Sequence, residues 1–421
     1  MTITRRTFGI GALAVAGTAI APQVMSAGRP RVVVIGGGAG GGTVARYVAK
    51  ASKGDIDVVL IEPTRTYYTC FFSNLYLGGF RDFSSIGHTY GKLASDYGIT
   101  VVHDWAIGVD RSKKSVQLAS GADVSYDRLV VSPGIDFRYD TVPGYGVESS
   151  NKMPHAWKAG SQTQLLKAKV EAMRPGGLYM MVAPPNPFRC PPGPYERISM
   201  VAHVLKQKNP TAKIVIVDTK EKFSKQGLFT EGWSNHYEGM VEWLPGSIAG
   251  KIKRIDADKM EIHTDAEVFK PDVANVIPGQ KAGTIATAAG LTNDSGFCPI
   301  VPATMQSQMD ENIYLVGDST IAGDMPKSGY SANSQAKVAA MAIRASLSGS
   351  KLFPARFANT CWSLIATDDG VKVGAKYEAT EEKIAKTEGF ISKTGEDAQL
   401  RKQTYEESIG WYNGITTDVF G

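Results

Sequence analysis

The chain has 421 residues, 43% of them hydrophobic and 21% charged, which is enough for two or three domains and excludes a small stapled scaffold. Its 45 glycines exceed the usual share of about 7% without a G-X-Y period, so the excess belongs in turns and ligand loops rather than in a fibrous or disordered chain. A formal charge of +5 without a Lys/Arg run gives no case for nucleic acid, and four cysteines lacking C-x-x-C or C-x-x-C-H spacing exclude a disulfide framework, a zinc knuckle and a covalent haem.

The amino terminus reads Thr4-Arg5-Arg6-Thr7-Phe8, then an uncharged stretch from Gly9 to Ala21, then small residues around Ser26-Ala27. This is the charged, apolar and cleavable order of a signal peptide, and its apolar part is too short to span a bilayer. Paired arginines before Phe give it the twin-arginine form, used by proteins exported already folded. Residues 1–27 are therefore expected to be removed, leaving a soluble periplasmic chain of about +3 whose cofactor is loaded before export.

Directly after this leader, the β-branched run Arg31-Val32-Val33-Val34-Ile35 predicts a buried parallel strand. It leads into Gly36-Gly37-Gly38-Ala39-Gly40-Gly41 and a helix to about Lys50, a G-x-G-x-x-G motif in its required context. Gly36 permits the tight turn, Gly38 the approach of a pyrophosphate, and Gly41 the packing of helix on strand. A second strand, Val58 to Ile61, ends in Glu62, which lies 21 residues after Gly41, the position of a carboxylate on a ribose hydroxyl. Eight residues further on, Cys70 closes the aromatic and polar stretch Tyr67-Tyr68-Thr69-Cys70. Taken alone it reads better as a buried, inert small hydrophobe.

A second strand–loop–helix unit runs from the strand Leu178 to Ala183 through the strand Ile214 to Val217, but its loop, Pro184 to Pro194, has six prolines in eleven residues. Proline lacks an N–H, so this loop cannot cradle a pyrophosphate with backbone donors, and a nicotinamide cofactor is not expected. The same rigidity suits a loop that holds Cys190 in one geometry. Glu196 follows at the start of a helix, as a proton acceptor or as an acid favoured by the helix dipole. Asp218, without a phosphate loop, reads as a helix cap or surface residue.

Late in the chain, Ile313 to Asp318 reads as a strand ending in Gly-Asp, and Met325 to Ser331 precedes a helix over 333–346. That helix N-terminus, with Lys327 as an added cation or as a mere surface lysine, could stabilise negative charge on a bound ring. Cys298 reads as a structural free thiol, Cys361 sits in Asn359-Thr360-Cys361, and Trp411-Tyr412-Asn413 is expected to pack the carboxy-terminal domain. The six histidines show no metal-ligand spacing, no metal is expected, and hydrolase motifs are absent.

These blocks carry a resemblance. Glycine motif, late Gly-Asp and the crossover-like strand Tyr126 to Gly134 resemble flavoproteins with two dinucleotide-type domains. The blocks Tyr67 to Cys70, Phe188 to Arg197, Met325 to Gln335 and Asn359 to Cys361 resemble the flavin-binding subunit of flavocytochrome c sulfide dehydrogenase, with likeness over nearly the whole chain. The resemblance implies an α/β fold of two Rossmann-type domains of the glutathione-reductase-like kind plus a smaller C-terminal α+β domain of strands and short helices. The expected division is 29–144 and 284–350 for FAD, 145–283 for a second domain without a nucleotide loop, and 351–421 for the last.

It further implies that Asp318 hydrogen-bonds the ribityl chain of FAD, that Cys70 is joined through sulfur to the flavin, and that Cys190 and Cys361 form a redox-active disulfide. Sulfide would be the substrate and a separate c-type cytochrome subunit the electron acceptor. Hydrosulfide would attack the disulfide by thiol–disulfide exchange, with Glu196 taking a proton. The alternatives are a sulfide:quinone oxidoreductase, a non-catalytic flavin electron-transfer subunit, and an NADH-dependent disulfide reductase, the last disfavoured by the proline loop.

Overall fold

The structure is a computed structural model that describes residues 28–421, and the signal peptide expected at 1–27 lies outside the described residues. The run Arg31–Ile35 forms the centre of a six-stranded sheet, pairing in parallel with Asp57–Ile61 on one side and Arg128–Val131 on the other. Thr100–Val102 and Asp310–Leu315 extend it in parallel, and Gln306–Ser307 adds an antiparallel edge. Both faces are covered, which is why Val32, Val33, Val34, Leu60, Leu129 and Val130 are fully buried instead of alternating with polar residues.

The chain leaves this sheet along Ile135–Arg138 and returns along Gly279–Ala282, two antiparallel strands in register from Ile135↔Ala282 to Arg138↔Gly279. Between them lies a second parallel sheet, ordered Val241–Leu244, Lys213–Val217, Leu178–Val182, Val273–Val276. Two dinucleotide-type sheets in an α/β fold are the architecture the resemblance implied.

The carboxy-terminal part is a three-stranded antiparallel sheet, Arg356–Ala366, Asp369–Ala379 and Ile384–Ile391, followed by one helix, Ala398–Phe420, of 23 residues. A long helix thus replaces the expected short ones. Gly410 and Gly414 inside it disfavour helix by about 1 kcal/mol each relative to Ala, but Tyr412, Ile415, Val419 and Phe420 are buried, so packing prevails. The helix over 333–346 also starts earlier, at Gly329, because the Ser328 side chain caps it by accepting from Ser331 N at 3.0 Å.

Arg401 fastens the long helix: it donates to Asp369 Oδ1 at 2.9 Å and to Glu231 Oε2 at 2.7 Å, with its side chain only 7% exposed. Its Nε also lies 3.3 Å from Glu396 Oε2, so removing it leaves three carboxylates without their shared cation. Arg401→Met is expected to destabilise the protein by about 3 kcal/mol, read as a drop of several degrees in the thermal unfolding midpoint. A midpoint within one degree of the parent would show that the network contributes little.

Candidate functional site

The first sheet opens into a cleft of about 700 Å³ lined by Gly36, Gly38, Glu62, Tyr67, Asp318 and others. Gly36 has φ +95°, and a Cβ there would strike the Ser132 carbonyl, so the turn requires glycine. Gly41 stands behind the loop, where a Cβ would collide with the Gly36 carbonyl; its bareness lets the Gly41–Ser52 helix close on the strand, as its place in the motif predicts. No acid occupies the first turn of that helix, which leaves its N-terminus to an anion.

Glu62 is buried at the loop: Oε2 accepts from Gly37 N at 2.9 Å, and Oε1 accepts from Thr64 N and Oγ1 at 3.0 and 2.7 Å. Asp318 faces it from the end of the Asp310–Leu315 strand. Its Oδ2 lies 3.7 Å from Arg189 Nη1, while Oδ1 is buried without a hydrogen-bond partner. Burial pushes its carboxyl up, and Arg189 and Lys327 pull it back down. An orphaned acceptor in a cleft of this size calls for a hydroxyl donor, which the sugar and polyol of a dinucleotide carry. The residues present fit FAD.

Lys327 is neither on the surface nor among the residues lining the cleft. Its Nζ donates to the Thr320 carbonyl at 2.6 Å and lies 3.8 Å from the centre of the Phe297 ring, and burial lowers its pKa to about 8. Its main-chain carbonyl accepts from Cys190 N at 2.7 Å, so this segment helps hold the proline loop.

A second, smaller cavity, of about 90 Å³, shares Cys70, Phe71, Arg189 and Gly329 with the cleft. Into it come Cys190, Cys361 and Glu196, walled by Phe72, Trp157, Trp362 and Trp411. The three site cysteines, far apart in sequence, are thus brought to two adjoining spaces, and all are free thiols here. Cys190 sits at φ +57°, and three of the loop's five N–H groups are engaged: Arg189 N with Gln280 Oε1 at 2.9 Å, Cys190 N with Lys327, and Gly193 N with the Cys190 carbonyl at 2.8 Å, while the other two, of Asn186 and Phe188, are separated by Pro187. No donor row remains for a pyrophosphate.

Glu196 is a wall of this cavity rather than a solvated first-turn acid. Oε2 accepts from Asn74 Nδ2 at 2.8 Å and Oε1 from Leu364 N at 3.0 Å; burial raises its pKa and these donors oppose the rise. Burial likewise pushes the Cys70, Cys190 and Cys361 thiols up. Cys298 is fully buried, its thiol pushed up to about 12, away from both spaces. Tyr412 packs as expected, bonding with Thr69 Oγ1 at 3.0 Å, but Trp411 lines the cavity.

Two readings need correction or addition. Asp218 is neither cap nor surface residue: it is fully buried, accepting from Tyr195 Oη at 2.5 Å, Trp243 Nε1 at 3.3 Å and Lys220 Nζ at 2.7 Å. Arg189, Arg197, Lys225 and Asn74 were not singled out, although the first two lie in the Phe188 to Arg197 block, where charged residues beside a predicted loop are the available signal. Arg197 is buried, donates to Asn74 Oδ1 and Asn275 Oδ1 at 3.1 Å each, and is lowered by burial to about 10.

Residues 163–278 match the family described as sulfide dehydrogenase (flavocytochrome c) flavoprotein chain, central, and residues 354–420 match flavocytochrome c sulphide dehydrogenase, flavin-binding. Residues 30–172 match pyridine nucleotide-disulphide oxidoreductase. The sulfide dehydrogenase flavoprotein chain of Chlorobaculum thiosulfatiphilum is 49% identical over 47 residues, 11% of this chain and 96% of that sequence. The chain belongs to the flavocytochrome c sulfide dehydrogenase flavoprotein family. It is therefore a flavoprotein oxidoreductase.

Members of related groups are more distant. The sulfide-quinone reductase of Aquifex aeolicus is 23% identical over 406 residues, 90% of each chain. The mitochondrial sulfide:quinone oxidoreductase of Dictyostelium discoideum is 23% identical over 305 residues, 69% of this chain and 65% of that protein's length. The solved structure of the Aquifex aeolicus sulfide:quinone oxidoreductase superposes with a TM-score of 0.71 at 16% identity over 92% of both chains, a likeness of fold.

Among the described residues, no helix of this flavocytochrome c-type flavoprotein is long and apolar enough to cross a membrane, and no His, Cys, Asp and Glu side chains gather as for a metal ion. Supplying the unpaired Asp318 oxygen with a donor makes a direct prediction. In a Cys70→Ala chain, which has no thiol at the cleft, Asp318→Ala is expected to raise the Kd for FAD by about 10- to 100-fold in a fluorescence titration. An unchanged Kd would remove Asp318 from the cofactor contacts.

Proposed function

We propose that the chain is the flavin-carrying subunit of a periplasmic enzyme that oxidises sulfide to sulfur or polysulfide and passes the electrons to a c-type cytochrome subunit. The observation that carries this reading is the joining of the two spaces: the cavity holding Cys190, Cys361 and Glu196 meets the dinucleotide cleft at Cys70 and Arg189. When bound, FAD supplies a two-electron acceptor able to release electrons singly. Gly36, Gly38, Glu62 and Asp318 hold it, and Cys70, at the meeting point, tethers it through sulfur.

Cys190 and Cys361 work as a disulfide. Hydrosulfide forms a new S–S bond to one sulfur, the Cys190–Cys361 bond breaks, and the other sulfur leaves as a thiolate. Glu196, with its carboxyl raised by burial, is closer than an exposed carboxylate to accepting the proton of hydrogen sulfide. The aromatic walls keep the cavity dry, and Arg189 places positive charge where cavity and cleft meet. The haem sits on the partner, as this chain has no C-x-x-C-H. The twin-arginine leader supports export to the periplasm, where a disulfide persists.

A quinone acceptor is suggested by the likeness to the Aquifex aeolicus protein, but the last helix turns Gln399, Lys402, Gln403, Glu406 and Asn413 outward, a polar face that suits a soluble acceptor better than a membrane. Cys190→Ser is expected to abolish sulfide-dependent reduction of a c-type cytochrome while leaving the flavin absorbance in place. Full activity in that variant, or electron delivery to a short-chain quinone but not to cytochrome, would overturn the proposal.

A further inference from the structure

The two cavity cysteines differ in access and in their electrostatic surroundings. Cys190 is partly exposed at the loop, whereas Cys361 is 8% exposed in the middle of the strand Arg356–Ala366. Behind that strand, outside the cavity lining, lies Lys225. It is 5% exposed and held at φ +62°, an unusual backbone for a residue with a side chain. Its Nζ donates to Ser363 Oγ at 2.7 Å, the Cys361 carbonyl at 3.1 Å and the Val371 carbonyl at 3.5 Å, all neutral acceptors.

Among the described residues no carboxylate forms an ion pair with Lys225; burial lowers its pKa to about 8, and negative charge on Cys361 first, then on Glu196 and Cys190, opposes the fall. Cys361 also has the Asn359 amide, whose Nδ2 lies 3.5 Å from Sγ, and Ser328 as donors. Tyr377, opposite Phe357 on the neighbouring strand, is within electrostatic reach of Cys361. Burial raises both thiols most; at Cys190 the charges of Cys361 and Glu196 add to the rise and outrank the opposing Lys225, whereas at Cys361 Asn359 and Lys225 oppose the rise and outrank Glu196. Arg189 and Arg197 are near Cys190, but Arg189 is shared with Asp318 and the Trp157 carbonyl, and Arg197 with carbonyls and two amides.

We infer that Lys225, with Asn359, makes Cys361 the leaving sulfur, so that hydrosulfide adds to Cys190 and the persulfide forms there. This rests on the reading of Cys190 and Cys361 as the sulfide-reactive disulfide. A lone pair of hydrosulfide makes the bond to Cys190 Sγ, and the electron pair of the broken Cys190–Cys361 bond stays on Cys361 Sγ as a thiolate. The step needs no outside oxidant, and the better-stabilised thiolate is the faster leaving group. Lys225 touches neither substrate nor cofactor and acts as a positioning residue, through the charge on Cys361.

The test is single-turnover trapping: oxidised holoprotein is mixed anaerobically with one equivalent of sodium sulfide, quenched with iodoacetamide within the first turnover, and mapped by peptide mass. The expected result is an alkylated persulfide on Cys190 and plain alkylation on Cys361. A persulfide chiefly on Cys361 overturns the inference and leaves the disulfide reading intact; sulfide that modifies neither cysteine removes that reading and the inference with it. In reduced protein, Lys225→Met is expected to move the pH midpoint for Cys361 alkylation up by about one pH unit, because the thiolate loses its cation, and Lys225→Arg to restore it. A midpoint that stays in place in a folded Lys225→Met protein excludes the role, and the wild-type mapping decides the site of addition without any substitution.

Discussion

The site depends on how the proline loop of the second sheet is fastened to the first. Two adjacent residues do this: the Arg189 guanidinium approaches Asp318 Oδ2 at 3.7 Å, and Cys190 N donates to the Lys327 carbonyl at 2.7 Å. A guanidinium as buried as Arg189 would be strongly unfavourable without a counter-charge, so the pairing with Asp318 dictates where the loop lies. Because Cys190 is the next residue, the same contact that sets the loop also sets the thiol in the cavity beside the cleft. Arg189 is thus a joint between two domains as well as a charge in the site.

That joint explains which parts of the protein were legible in the sequence. Gly36, Gly41 and Glu62 express local backbone demands, a positive φ, a close approach and a fixed spacing along one strand–helix–strand unit, and the structure meets each of them. The proline loop was legible for the same reason, since missing N–H groups can be counted without knowing the fold. Lys225, Asn74 and Arg197 carry no such signature. Their roles come from partners more than a hundred residues away, such as Cys361 for Lys225 and Asn74 for Arg197, and nothing along the chain announces such meetings. Asp218 was misread because its place at a strand end suggested a ribose or a cap, whereas its surroundings are Tyr195, Trp243 and Lys220. The cysteine pair became legible through long matched blocks, not through chemistry in the residues themselves.

Local preference yields to position around the cavity. Phe72, Cys190 and Lys225 all have φ between +57° and +69°, a region that glycine would fill with less strain. Glycine at Cys190 or Lys225 would remove the thiol or the buried ammonium, and at Phe72 a wall of the cavity. The surrounding packing therefore has to hold these backbones, and it is dense: Phe72 stacks on Tyr412 at 4.4 Å, and Lys225 is pinned by three acceptors. Among the described residues nine non-glycine residues have positive φ, and three of them meet at this one site, a local concentration of strain of the kind expected where geometry serves chemistry.

The charge balance around the sulfurs completes the argument. Three buried cations, Arg189, Arg197 and Lys225, surround the junction, against the two carboxylates of Asp318 and Glu196. Burial lowers Lys225 to about 8 and Arg197 to about 10, and the negative charge near them offsets only part of that fall. Under the proposed chemistry that shortfall is what a small anion relieves: hydrosulfide brings one negative charge into the cavity, and exchange transfers it to the Cys361 thiolate beside Lys225. The charge enters at the partly exposed sulfur and ends at the buried one, so the reaction carries it toward a cation whose hydrogen-bond acceptors are all neutral. A neutral nucleophile would leave the excess positive charge in place, and a second carboxylate beside Cys361 would remove the reason for an anion to enter.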